Sequence, residues 1–259
     1  MFGKLLTLKK VLVGTITPMC IVLTKNIKFS NFLYADSVDV NVTKSEKWDS
    51  NWDKLENQGV DPKSIPVHNI YLIRHGQYLI QEKNSKDKKL TQLGREQSAV
   101  TGRYLKSILS SIDFFIHSTV VRAKETADII FHEVDDVKLT ESTDLLAEGM
   151  PIVPHRYSND SSKHELSEHV DQPRIEAAFR KYIKRGYPSD KKSINTVIVC
   201  HANVIRYFLL RALQLEPRSW LDMSLYHASV TKISINGKGS VSLRFYGNAG
   251  HMDPKLLST

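Results

Sequence analysis

The chain lacks the features that define several protein classes. Its 259 residues include two cysteines, Cys20 and Cys200, too few for a disulfide framework or a multi-cysteine zinc site. Glycine and proline together supply 21 residues, and 41% of the chain is hydrophobic against 25% charged, which excludes collagen-like, low-complexity and wholly disordered chains. No segment recurs at a period of about 20–50 residues, so solenoids and propellers are excluded too. An apolar run of the roughly 20 residues needed for a full membrane span is also missing. What remains is enough chain for one large domain or two small ones, with a substantial core.

Acidic residues are absent from positions 1–35, which hold Lys4, Lys9, Lys10, Lys25 and Lys28. The net charge of +8 is therefore concentrated at one end, since 31 basic residues face 28 acidic ones in the rest of the chain. A nucleic-acid binder carries its charge on the folded body, so no nucleic-acid partner is expected. Val11 to Thr24 is an uncharged, mostly apolar stretch of fourteen residues. Its length suits a presequence, but a small-x-small cleavage site is missing, and Leu5, Leu6 and Leu8 extend it if Lys9 and Lys10 snorkel. An uncleaved membrane anchor and a cleaved presequence both fit, and a lysine-rich, acid-free start is compatible with a mitochondrial address. Residues 1–35 are expected to be an anchor or mitochondrial targeting segment, 36–66 a tether, and 67–259 the folded domain that carries the chemistry.

Within the tether, Trp48, Asp49, Asn51, Trp52 and Asp53 form a Trp-Asp-x-Asn-Trp-Asp motif with two of the chain's three tryptophans. Large aromatics on a polar tether need a partner surface. That surface is either a second copy of the chain or the chain's own domain.

The body alternates apolar strands with amphipathic helices. Ile70 to Ile73 is a buried strand, Thr91 caps a helix with Leu93, Val100, Tyr104 and Ile108 on one face, and Ile112 to His117 is a second strand. Val120, Ala123, Ala127 and Ile130 mark a second helix, Thr196 to Cys200 another strand, and Ile205, Phe208, Leu209 and Ala212 another helix. Asn236 to Gly239 is a hairpin turn between two late strands. Residues 155–173 are polar and expected to be a surface insertion or lid. This pattern predicts an α/β three-layer sandwich with a mostly parallel central sheet and helices on both faces.

Ligands of such sheets bind at the carboxyl ends of the strands. Two predicted strands end there in histidine, as Arg74-His75 and as Cys200-His201, and a third ends in His117-Ser118 with Arg122 just beyond. Arginine matches phosphate oxygens, imidazole is a nucleophile toward phosphorus, and Glu148, followed by a glycine, supplies an acid for the leaving oxygen. His164 and His169 stand five residues apart, not the four that put both on one helical face, so no zinc-protease helix is expected.

Leu72-Ile73-Arg74-His75-Gly76 resembles the nucleophile motif of the histidine phosphatase superfamily, which includes phosphoglycerate mutases. His117 to Thr126 resembles its second arginine motif and His201 to Arg206 its second histidine motif, in the family's order over about 130 residues. The Trp-Asp motif, Arg174 to Arg180 and Ala202 to Tyr207 are similar to the superfamily's mitochondrial serine/threonine-protein phosphatases, a likeness that spans roughly residues 48–253. The resemblance implies hydrolysis of phosphoserine and phosphothreonine proteins with no cofactor or metal. His75 would carry the phosphoryl group, Arg74, Arg122 and His201 would hold it, and Glu148 would be the acid. It also implies a homo-oligomer built through the Trp-Asp motif and attachment to a mitochondrial membrane. Ala147 departs from the family, which usually has arginine before this glutamate, and the departure bears on substrate preference or rate. Gln77 to Ile80 lack the serine and asparagine that sugar-phosphate mutases carry after Arg-His-Gly. A small-molecule phosphatase or mutase and a phosphate-binding scaffold without turnover are the alternatives.

Overall fold

Continuous apolar runs make the central strands, as expected where helices cover both faces of a sheet. The computed structural model describes residues 47–55, 59–84, 88–156 and 161–259, and of 161–169 the backbone alone. The expected anchor at 1–35 and residues 36–46 of the tether lie outside the described residues. Among the described residues no helix is long and apolar enough to cross a membrane.

In chain order the elements are β1 (His68–Arg74), α1 (Gln92–Ile108), β2 (Phe114–Ser118), α2 (Val121–Glu133) and β3 (Thr140–Thr143). They continue with α3 (Ser161–Tyr182), β4 (Ile194–Cys200), α4 (Ala202–Ala212), β5 (Val230–Ile235) and β6 (Val241–Asn248). One six-stranded sheet runs in the order β3-β2-β4-β1-β5-β6; the first four strands are mutually parallel, and β5 and β6 pair antiparallel. Alternate residues feed opposite faces. Ile70, Leu72, Ile198 and Cys200 pack with Phe179, Ile205 and Phe208 of α3 and α4, whereas Tyr71, Ile73, Val197 and Val199 pack with Leu105, Ala127 and Ile130 of α1 and α2. These two cores make the three layers the sequence predicts.

Thr91 caps α1 as expected, its Oγ1 accepting from the Gly94 N–H at 3.0 Å. The buried face of that helix is rotated from the expected one. Gly94, Gln97, Ser98, Thr101 and Leu105 are buried, and Ile108 is exposed. Small and polar residues win this face because the chain beside it comes too close for larger ones. A Cβ on Gly76 would lie 2.4 Å from the Gly94 oxygen, and one on Gly94 would lie 2.0 Å from the Gln77 oxygen. The segment 155–173, expected as a surface insertion or lid, enters α3 from Ser161 onward with Pro173 inside it. Its polar first half has no apolar stripe to reveal a helix, while the second half buries Ile175, Ala178 and Phe179. The short edge strand β3, Thr-Glu-Ser-Thr, is too polar to show in the sequence.

The compact unit begins at Trp48, so the described part of 48–66, expected as tether, belongs to the domain. The Trp52 indole donates to the Gly239 carbonyl at 2.8 Å, and its ring lies 5.8 Å from that of Phe179. Asp53 takes both Nε (2.9 Å) and Nη2 (2.6 Å) of Arg185, and both side chains are almost fully buried. Asp49 exchanges two hydrogen bonds with the Gln214 side chain, at 2.9 and 2.8 Å, and accepts from the Asn51 N–H at 2.9 Å. Trp48 is 37% exposed. Of the two surfaces open to the motif, Trp52 and Asp53 therefore use the chain's own domain, because buried Arg185 needs a carboxylate.

Burial opposes ionisation of Asp53, but its bonds to Arg185 outweigh that and hold the carboxyl below its ordinary value. Its contribution is therefore complete above the unfolded value of about 3.9 and is lost as pH falls through the lower folded value. Asp53→Ala leaves a buried guanidinium unpaired and is expected to cost about 3–5 kcal/mol, a drop in melting temperature on the order of 10 °C at pH 7. Calorimetry checks this, and an unchanged melting temperature would show that the pair is dispensable.

Candidate active site

The register of β1 and β4 builds the site. Arg74 lies opposite Cys200, and the His75 N–H donates to the Cys200 carbonyl at 3.0 Å, so the next residue of each strand reaches the same edge of the sheet. The rings of His75 and His201 are 5.1 Å apart. β2 flanks β4 on its other side and ends in Ser118, whose Oγ lies 3.1 Å from His201 Nε2. His117 points away from this contact, its Nδ1 instead meeting the Ser118 carbonyl at 3.0 Å. The turn after β2 starts α2, placing Arg122 in the first turn of a helix whose positive end faces the edge.

His75 Nδ1 is 2.9 Å from the Gly76 carbonyl, and its Nε2 accepts from Arg122 Nε at 3.1 Å. Both contacts require the same neutral tautomer, with the proton on Nδ1 and the lone pair on Nε2 facing the pocket. Burial, then His201 and Arg122, push the His75 pKa well below its ordinary value. Burial and the charges of Arg122, Arg174 and Arg74 do the same to His201. Both rings stay neutral near neutral pH. Tyr78 stands edge-on to His75 at 5.1 Å and lies 4.8 Å beneath the Arg122 guanidinium.

Glu148 comes from the loop after β3. Its Oε2 is 3.9 Å from His201 Nδ1, and its Oε1 is buried without a partner. Burial raises its pKa, against the opposing pull of Arg122 and Arg74, so it holds a proton at higher pH than an ordinary carboxyl. The loop is clamped by a residue the sequence reading gave no role. Arg174 of α3 donates to the carbonyls of Leu145, Ala147 and Glu148 at 3.1, 2.7 and 3.3 Å and pairs with Asp171 at 2.8 Å. Gly149 is required here, because a Cβ would lie 2.4 Å from the Asp171 carboxyl carbon, and Asp171 also accepts from the Met150 N–H at 3.0 Å. Asn203 secures the far side through the Gly149 carbonyl at 3.1 Å.

The structure thus gathers Arg74, His75, Arg122, Glu148 and His201 into one pocket. It adds Tyr78, His227 and Ser118, which sequence reasoning missed. His227 precedes β5, and because β5 runs antiparallel to β1, residues before it arrive at the edge where the parallel strands end. Only the direction of that strand could have revealed it. The Trp-Asp residues do not join this group; they lie against Arg185 and Gly239.

Arg74 Nε, Glu148 Oε1 and His201 Nδ1 are buried polar atoms without hydrogen-bond partners, and such groups are rare away from ligand sites. Ligand atoms of His75, Glu148 and His201 lie within 4.8 Å of one another and could hold a metal ion. The surrounding Arg74, Arg122 and Arg206 disfavour a second cation and favour an anion. Two guanidiniums, an imidazole nitrogen with a lone pair facing the pocket and a carboxyl whose proton is held to higher pH than usual suit the transfer of a tetrahedral oxyanion.

Residues 70–248 match the model of the histidine phosphatase superfamily, branch 1. The serine/threonine-protein phosphatase PGAM5, mitochondrial, of Xenopus laevis is 38% identical over 232 residues, covering 82% of this chain and 84% of its own. Its namesake in Mus musculus is 39% identical over 231 residues, with 82% and 80% covered. Among solved structures, a phosphoglycerate mutase from Plasmodium falciparum is 30% identical with a TM-score of 0.50, covering 70% of this chain and 91% of its own. YhfR of Bacillus stearothermophilus, 20% identical over 71% of this chain and 98% of its own with a TM-score of 0.54, shares the fold.

Proposed function

The chain belongs to the histidine phosphatase superfamily, and on that premise we propose that it is a mitochondrial serine/threonine-protein phosphatase acting through a phosphohistidine on His75. The single observation that carries the mechanism is the neutral His75 ring with its Nε2 lone pair directed at Arg122. In the first half-reaction Nε2 attacks phosphorus in line and the bond to the seryl or threonyl oxygen breaks. Glu148 gives that oxygen its proton. Arg122 turns its N–H from the imidazole to a phosphoryl oxygen, and Arg74 and His201 hold the others as charge redistributes. In the second half-reaction water loses a proton to the Glu148 carboxylate and attacks phosphorus, and the P–N pair returns to Nε2. No step requires a metal or cofactor.

His75→Ala is expected to abolish turnover of a phosphoserine peptide and of an aryl phosphate, with EDTA leaving the wild type active. Glu148→Gln should lose on the order of 10²–10³ in rate on the peptide and far less on the aryl phosphate, whose leaving group needs no proton. Wild-type activity in His75→Ala, or a preference for 3-phosphoglycerate over the peptide, would overturn the assignment.

The same reading includes an N-terminal tether to a mitochondrial membrane through residues 1–35, supported by the acid-free, lysine-flanked apolar stretch and by the mitochondrial location in the relatives' names. Carbonate extraction of mitochondria should leave full-length protein with the membranes; its release into the soluble fraction would refute the tether.

It also includes a homo-oligomer in which the Trp-Asp motif takes part. The support is exposed Trp48, beside Trp52 and Asp53 already anchored on the domain. Light scattering is expected to show a multimer that Trp48→Ala shifts toward the monomer, and an unchanged mass would restrict the motif to packing within one chain.

A further inference from the structure

The arginines of this protein are held in two ways. Arg174, Arg185 and Arg211 are each paired with a carboxylate, Asp171, Asp53 and Glu176, at 2.8, 2.6 and 2.9 Å. Arg74 is not. Its Nη1 donates to the Leu225 carbonyl at 2.5 Å and its Nη2 contacts His227 Nε2 at 3.0 Å, both neutral acceptors. Among the described residues no carboxylate forms an ion pair with it, and burial followed by the neighbouring Arg206 pushes its pKa down to about 10.

A guanidinium has no lone pair to offer, so the contact with Arg74 requires His227 Nε2 to be the acceptor. The one proton of the neutral ring is then on Nδ1, which faces Ser258 Oγ at 3.0 Å. Ser258 is fixed in turn. Its Oγ accepts from Gln97 Nε2 at 2.8 Å, and its carbonyl accepts from the His227 N–H at 2.9 Å. Gln97 also reaches the Leu256 carbonyl at 2.6 Å and accepts from the Gln77 N–H, two residues beyond His75, at 2.9 Å. The His227 ring faces the pocket, 5.7 Å from that of His75 and 6.3 Å from that of Tyr78. Burial and the adjacent Arg74 push its pKa to about 4, so it stays neutral near neutral pH.

We infer that His227, with its tautomer set by Ser258, is a positioning residue that orients Arg74 while leaving the arginine's full charge for the phosphoryl group. This rests on the pocket being a phosphoryl site. A carboxylate in the same place would hold Arg74 more tightly, but it would cancel the charge the substrate needs and repel the phosphate oxygens. The imidazole lone pair fixes direction without that cancellation. Nε and the remaining Nη2 hydrogen are then left to grip the phosphoryl group side-on.

The test uses the full chain and two variants of equal shape, His227→Gln and His227→Glu, with His227→Leu as a third. Binding of inorganic phosphate is measured by calorimetry, which needs no turnover, beside kcat and KM for a phosphoserine peptide and the melting temperature. Gln keeps a neutral acceptor within reach of Arg74 and should bind phosphate within about threefold of wild type, a fraction of a kcal/mol. Leu keeps the charge but loses the orientation, and it should weaken kcat/KM on the order of tenfold. Glu should bind phosphate weakest of the four, by more than about tenfold, while melting at or above the wild-type temperature. Phosphate affinity in Glu equal to that in Gln, or no advantage of Gln over Leu, would overturn the inference. Phosphate binding in the expected order without any peptide or aryl phosphate turnover would leave it standing and overturn the phosphatase reading instead.

Discussion

β1 and β4 lie side by side and parallel, with Arg74 opposite Cys200, and the chemistry of the protein depends on that register. A shift of one residue would turn His75 or His201 into a core and expose an aliphatic side chain at the edge. The strands are held in place by burial on both faces, since Ile70 and Leu72 belong to one core and Tyr71 and Ile73 to the other. Two apolar cores thus act as the clamp that sets two imidazoles 5.1 Å apart.

Electrostatically the pocket is costly. Arg74 and Arg122 flank one carboxyl, Glu148, whose own burial favours the protonated form, and Arg206 adds a further charge beside Arg74. Burial strips water from these groups, and Glu148 Oε2 stands 3.9 Å from His201 Nδ1. Stability is supplied away from the pocket, by the two apolar layers on either side of the sheet. The arrangement follows a general pattern in which polar groups left unsatisfied in the fold are those a ligand satisfies.

The sequence made the skeleton of the site readable because parallel strands announce their carboxyl ends. Arg74, His75, Arg122 and His201 each follow an apolar run or open the helix after one, so strand periodicity located them. Glu148 was found from its loop and its glycine, although the reason for the glycine, the approach of Asp171, is a contact across sequence. Arg174 and His227 had no such signal. Arg174 acts from a helix whose first half is mostly polar, and His227 lies just before an antiparallel strand, where a rule about strand ends looks in the wrong place. The motif shows that Trp52 and Asp53 need partners, but those partners, Gly239 and Arg185, lie 187 and 132 residues away and nothing local identifies them.

The link from Ser258 to His227 to Arg74 also bears on when the pocket comes into being. The groups that line the pocket are drawn from residue 74 to residue 258, and β1, which leads into His75, lies inside the sheet between strands made much later in the chain. During synthesis Arg74 and His75 emerge early, without β4, β5 or the Ser258 hydroxyl that contacts His227. Pairings so distant along the chain are slow to form, because loop closure must precede the contacts that reward it. The nascent chain therefore carries the first residues of the pocket before the pocket exists. The pocket is therefore completed late in folding, once β4, β5 and Ser258 have joined the strand that leads into His75.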